Sequence, residues 1–133
     1  MKNRLALIIA LTPVPALAQW GDAGPTLVFF DWGKGELSND AKASLDKLAA
    51  SYAANPRPMT VDGHSDRSGA SAGNLISSRK RAIAVRDYLV AKGVPTTALT
   101  VRAYGETWPI ISTEDGVREI QNRRVEVRWV APN

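Results

Sequence analysis

Asp66 closes the run Gly63-His64-Ser65-Asp66, and Arg81 follows it by fifteen residues in a segment of helical spacing. An acid at a strand end and an arginine on the next helix can face one small volume. Such a pair suits a ligand that carries an ammonium and a carboxylate on one carbon. Asp66 would accept from the ammonium, and Arg81 would hold the carboxylate through two parallel N–H bonds, a geometry lysine lacks. Charge-assisted contacts of this kind are worth about 1.5–3 kcal/mol each where water is partly excluded. Asn74, Ser78 and Arg81 fall on one side of a 3.6-residue helix and make a polar stripe beside Ser65 and Asp66. The competing reading is that Asp66 and Arg81 pair only with each other, and spacing alone leaves it open.

Other chemistry is poorly supported. Gly63 to Arg67 superficially resembles a G-x-S-x-G nucleophile elbow, but Arg67 stands where the tight turn needs its last glycine. His64, the only histidine, is adjacent to Ser65. Neighbouring strand residues point to opposite faces, so His64 is misplaced as its base. One histidine with scattered carboxylates does not make a metal site. No catalytic residue, metal or cofactor is expected. Arg123 and Arg124 open the last strand, where a structural role for at least one is the stronger reading. Trp32 and Trp108 lie in turns, whereas Trp129 alternates with Arg128 and Val130 as a core residue would.

The elements that must position these groups are legible as periodicities. Leu27–Phe30 is an apolar, β-prone run, followed by a turn marked by Gly33 and Gly35. Ser38 suits an N-cap, with Asn39 and Asp40 in the first turn. Ala41, Leu45, Leu48 and Tyr52 then recur at helical spacing to Ala54, and Asn55-Pro56 ends that helix. Met59–His64 alternates as a second strand. Ser71–Ala91 is a second helix with Leu75, Ala82, Val85 and Leu89 on its core face and Gly93 as a left-handed cap. Leu99–Tyr104 and Arg124–Val130 are strands, and Thr113–Gln121 a short helix or ordered loop. The order βαβα followed by two strands predicts an α+β two-layer sandwich, with both helices on one face of a mixed four-stranded sheet.

Residues 1–18 read as an export signal. Lys2 and Arg4 precede an apolar run, and Ala16-Leu17-Ala18 has the small-x-small cleavage pattern, placing the mature start at Gln19. Pro13 and Pro15 interrupt that run, which suits cleavage better than spanning a membrane. No cysteine stands at the junction, so the lipoprotein route is not indicated. Taking 18 residues from 133 leaves 115, one domain with a modest core, and loss of Lys2 and Arg4 lowers the net charge from +4 to +2. Nucleic acid is a poor partner for this chain. The basic clusters Arg79-Lys80-Arg81 and Arg123-Arg124 lack interleaved aromatics, and the signal points out of the cytoplasm. With no cysteine, stability has to come from packing.

Several separated blocks resemble the OmpA-like C-terminal domain family, whose members bind the diaminopimelate of peptidoglycan. They are Phe30-Asp31, Gly63-His64-Ser65-Asp66, the spacing of Gly69, Asn74, Ser78, Arg81 and Ala82, Tyr104-Gly105-Glu106 with Pro109, and Asn122 to Glu126. Together they cover roughly Val28 to Val130. The resemblance implies that Asp66 and Arg81 clamp the zwitterionic end of diaminopimelate, that Phe30 and Asp31 line the pocket with Ser65, and that Asn74 supports it. It implies a periplasmic, non-catalytic domain over residues 19–133 that associates with the cell wall or outer membrane. Ser77 departs from the pattern, since relatives place leucine there, and Ala103 stands where glycine is common. Ser77 also carries the second reading, a module of the same fold that docks an outer-membrane or envelope protein partner with its ligand pocket degenerate.

Overall fold

The computed structural model describes residues 24–132. The export signal therefore lies outside the described residues. Six main elements follow one another: β1 (Thr26–Phe29), α1 (Asn39–Ala54), β2 (Met59–Gly63), α2 (Ser71–Ala91), β3 (Leu99–Ala103) and β4 (Arg124–Trp129). The strands form one sheet in the order β1-β4-β2-β3. β4 runs antiparallel to both β1 and β2, while β3 runs parallel to β2. Both helices pack on one face of this mixed sheet, the α+β sandwich expected from the sequence. Within the 113–121 segment only its end is helical, a single 3-10 turn at Ile120–Asn122.

Local chemistry accounts for the helices. The Ser38 hydroxyl accepts from Ala41 N at 3.1 Å and caps α1, whose first turn also carries Asp40 against the positive end of the dipole. Ala41, Leu45, Leu48 and Ala49 form its buried face. They meet Val28, Met59, Val61, Val125 and Val127 from the sheet, with Val85 and Leu89 from α2. Each large aliphatic side chain fully buried there contributes about 1.5–3 kcal/mol. Trp129 is half-buried against this core rather than within it.

Leu75 departs from the expected core face of α2, with 45% of its surface exposed. The buried side of the helix is instead Asn74, Ser78, Arg81, Ala82, Val85 and Leu89. Leu75 sits about 70° from the middle of that stripe, at 100° per residue. The polar residues are thus not a separate flank of α2. They continue its core face beyond the hydrocarbon. Gly63 shows why the helix sits as it does: a Cβ there would lie 2.0 Å from the Ser78 carbonyl oxygen. α2 crosses β2 with backbone against backbone, an approach only glycine permits.

The opposite sheet face is ionic. Arg102 grips Asp62 with two bonds, Nε to Oδ1 at 2.6 Å and Nη2 to Oδ2 at 2.8 Å. Glu126 receives Arg124 Nε on one oxygen at 2.8 Å and Arg128 Nη2 on the other at 2.6 Å. His64 stacks on Tyr104 with ring centroids 5.3 Å apart. Burial, with the Arg124 charge beside it, pushes the imidazole down to about 4.

Candidate functional site

The C-terminal end of β2 builds the site. His64 N donates to Arg124 O and Ser65 N to Gly105 O, each at 2.8 Å, so the chain leaving β2 stays fastened on both sides. Phe30 N reaches Arg123 O at 2.9 Å and continues the β1–β4 pairing past Phe29. These bonds set the 65–70 loop against the first half of α2. A cavity of about 270 Å³ opens between them, lined by Ser65, Asp66, Asn74, Ser77, Arg81, Arg123 and Trp32 among others.

Asp66 is 2% exposed and its carboxylate is fully engaged. Oδ1 accepts from Ser68 N at 3.1 Å and from the Ser68 hydroxyl at 2.5 Å. Oδ2 accepts from Glu119 N at 3.1 Å and Arg123 Nη1 at 2.6 Å. Burial raises the carboxyl, but the Ser68, Arg123 and Glu119 bonds outweigh it and hold Asp66 below the usual range. The ion pair of Asp66 is therefore with Arg123, not with Arg81.

Arg81 is 5% exposed and donates from Nε to Lys34 O at 3.1 Å. Its guanidinium carbon stands 5.6 Å from the centre of the Phe30 ring. No carboxylate pairs with it among the described residues, and its two terminal nitrogens have no partner there yet are not sealed from the cavity. Desolvation, then repulsion from Arg123, lowers its pKa, with Asp66 opposing them. An arginine remains charged regardless. The cavity thus holds two guanidinium groups, from Arg81 and Arg123, against the one carboxylate of Asp66. It is arranged for an anion at Arg81.

Four of the six residues expected from the sequence meet here: Ser65, Asp66, Asn74 and Arg81. Phe30 is 1% exposed and lies beneath Arg81 as a support for the guanidinium. Asp31 lies apart. Its side chain borders a neighbouring cavity with Phe29 and Ile120, and its carbonyl accepts from Lys34 N at 3.0 Å in a turn. The strand alternation explains this, because a residue following a buried Phe30 faces away from it.

Sequence reasoning gave Arg123 no place in the pocket. It lines the cavity, donating also from Nε to Phe30 O at 3.0 Å. Its neighbours do different work. Asn122 Oδ1 takes Ile110 N and Ile111 N at 2.9 Å each, pinning the β3–β4 loop. Arg124 adds a bond to Trp108 O at 3.0 Å. Ser68 and Glu106 were also given no site role; Ser68 lies two residues past Asp66, and Glu106 closes the Tyr104-Gly105-Glu106 block that carries the family resemblance. Trp32, half exposed, joins this set through an Nε1 bond to Ser68 Oγ at 3.1 Å, with Arg118 over its ring at 3.4 Å.

Two helices packed on a mixed four-stranded sheet are the α+β architecture of OmpA-like domains. The chain belongs to the OmpA family, whose model matches residues 29–123. The family is one of non-enzymatic domains. Among relatives, the peptidoglycan-associated lipoprotein of Rhizobium meliloti is 38% identical over 98 residues, covering 73% of this chain and 56% of that protein. That of Pseudomonas putida is 34% identical over 103 residues, 77% of this chain and 62% of the relative. The chain thus spans less than two thirds of either relative. The crystal structure of the peptidoglycan-associated lipoprotein from Burkholderia pseudomallei superposes with a TM-score of 0.73 at 28% identity, covering 78% of this chain and 89% of that one. The C-terminal domain of Helicobacter pylori MotB shares the fold at TM-score 0.70 and 22% identity, covering 81% and 84% of the two chains. No helix among the described residues is long and apolar enough to cross a membrane.

Proposed function

We propose that this chain binds peptidoglycan non-covalently in the cell envelope, and that it does so through the diaminopimelate of the peptide stem. The observation that carries the reading is Arg81, a buried guanidinium with open terminal nitrogens and no carboxylate partner among the described residues, beside the anchored Asp66. A ligand carboxylate completes Arg81 with two parallel N–H bonds. The ammonium on the same carbon then lies toward the negative end of the cavity at Asp66. Relatives named as peptidoglycan-associated support the polymer class, and the zwitterion geometry supports diaminopimelate within it. Export by residues 1–18, with cleavage after Ala18, belongs to the same proposal. Intact mass of protein recovered from cells tests that part, with Gln19 expected as the first residue and Met1 as the contrary result.

Purified sacculi test the binding. The chain is expected to co-sediment with sacculi containing diaminopimelate and to be released by soluble stem tripeptide ending in that residue. Equal release by a lysine-ending tripeptide, which has the ammonium but lacks the second carboxylate, would overturn the assignment.

A further inference from the structure

Asp66 alone does not satisfy an ammonium. Four donors already occupy its two oxygens, and an ionised carboxylate offers about four acceptor sites. An incoming ammonium brings three N–H groups and needs an open acceptor. One stands across the cavity. Asn74 is buried and lines it, and its Oδ1 has no hydrogen-bond partner among the described residues but is not sealed. A Cβ at Gly69, another lining residue, would come within 3.9 Å of that oxygen.

An asparagine amide presents oxygen or nitrogen depending only on what holds its other side. Here Asn74 Nδ2 donates to Glu106 Oε2 at 3.0 Å, and Ser71 Oγ donates to Glu106 Oε1 at 2.6 Å. An ionised carboxylate accepts and cannot donate. Asn74 must therefore turn its NH2 group to Glu106 and its oxygen away. We propose that Glu106 is a positioning residue that fixes the Asn74 amide with its carbonyl oxygen toward the cavity, where it accepts from the ligand's ammonium. The Ser71 and Asn74 bonds hold Glu106 below the usual carboxylate range, so it is ionised at neutral pH. Its own placement is tied to the site, because the preceding Gly105 accepts from Ser65 N and its N–H donates to Ser78 Oγ at 3.0 Å.

This inference rests on the proposed diaminopimelate site and assigns the group that reads the ammonium. The test is calorimetric titration with two probes: a stem tripeptide ending in meso-diaminopimelate, and the same tripeptide with the side-chain ammonium replaced by hydrogen. The wild-type chain is expected to prefer the first. Glu106→Leu frees the amide to flip and is expected to lose about tenfold for the first probe, the scale of one charge-assisted bond, and at most about twofold for the second. Asn74→Asp/Glu106→Gln keeps the interresidue bond with its direction reversed and leaves a carboxylate oxygen facing the cavity, so it is expected to restore the preference. If Glu106→Leu proves unfolded, the exchange variant decides alone: a retained preference supports the inference, and a lost one overturns it. Equal weakening of both probes by Glu106→Leu makes Glu106 a structural prop and overturns the inference while the site reading stands. Absence of binding by the wild-type chain overturns both.

Discussion

The outer face of the sheet and the cavity at the C-terminal end of β2 carry charges of opposite fate. On the outer face each carboxylate is matched: Asp62 by the fork of Arg102, Glu126 by Arg124 on one oxygen and Arg128 on the other. At the cavity the same accounting leaves a remainder. Arg123 is matched by Asp66, and Arg81 by no carboxylate among the described residues. Both regions contain deeply buried ionic groups, so burial of charge does not distinguish a site from a scaffold. Completeness does. A closed network has nothing left to offer a ligand, whereas an unpaired buried cation carries a desolvation cost that a ligand carboxylate offsets.

The comparison can be broken most forcefully at Arg123, which belongs to the cavity but to its closed part. Arg123→Ala leaves Asp66 buried without its 2.6 Å partner and strips a donor from Phe30 O. The expected loss is about 3–5 kcal/mol, or a melting temperature lower by ~15 °C or more. A loss below about 1 kcal/mol would mean that Asp66 is held adequately by Ser68 and Glu119, and that the pair is not structural.

Acid probes the outer face next. His64 is pushed down to about 4 in the folded chain, against an ordinary value near 6.5. The unfolded chain therefore binds the proton first as pH falls. Stability from this group is complete above pH 6.5 and is lost on the way down to about pH 4, by on the order of 3 kcal/mol in total. Asp66 and Glu126, both held below the usual carboxylate range, add their losses at lower pH as it falls through their folded values. Urea titrations at pH 7 and 4.5 should show the His64 slope, and His64→Phe, which keeps a ring on Tyr104, should flatten it. An unchanged slope in that variant would assign the acid sensitivity elsewhere.

The smallest effect is expected at Arg128. Its side chain is 50% exposed, and Glu126 retains Arg124 on the other oxygen when it is removed. Arg128→Ala is expected to cost less than about 1 kcal/mol by chemical denaturation. A larger loss would show that the outer network acts as a unit instead of as separate pairs.

The sequence made the scaffold legible because its signals are local. Ser38, Asn55-Pro56 and Gly93 mark helix ends within a few residues of the effect, and the alternation of β4 names its inner face directly. The site was legible in part. Ser65, Asp66, Asn74 and Arg81 come from one strand–loop–helix unit, so their spacing carries their geometry. The partner of Asp66 lies 57 residues away, and no periodicity connects Asp66 to Arg123. The core face of α2 was misjudged at Leu75 for a related reason. Reading hydrophobic residues as the buried side fails where the buried side is polar by design of the cavity, and Asn74, Ser78 and Arg81 fill that side.

The central claim is that Arg81 is kept unpaired for a ligand, and one substitution addresses it. Arg81→Met retains the alkyl stem over Phe30 and removes the charge. Loss of the 3.1 Å bond to Lys34 O costs about 1 kcal/mol, while relief of desolvation and of repulsion from Arg123 offsets it. Measured together, retention on sacculi should fall ten- to hundredfold, about 1.5–3 kcal/mol, with the melting temperature unchanged or higher. Full retention by the folded variant, or retention lost only in step with a fall in melting temperature, would contradict the account.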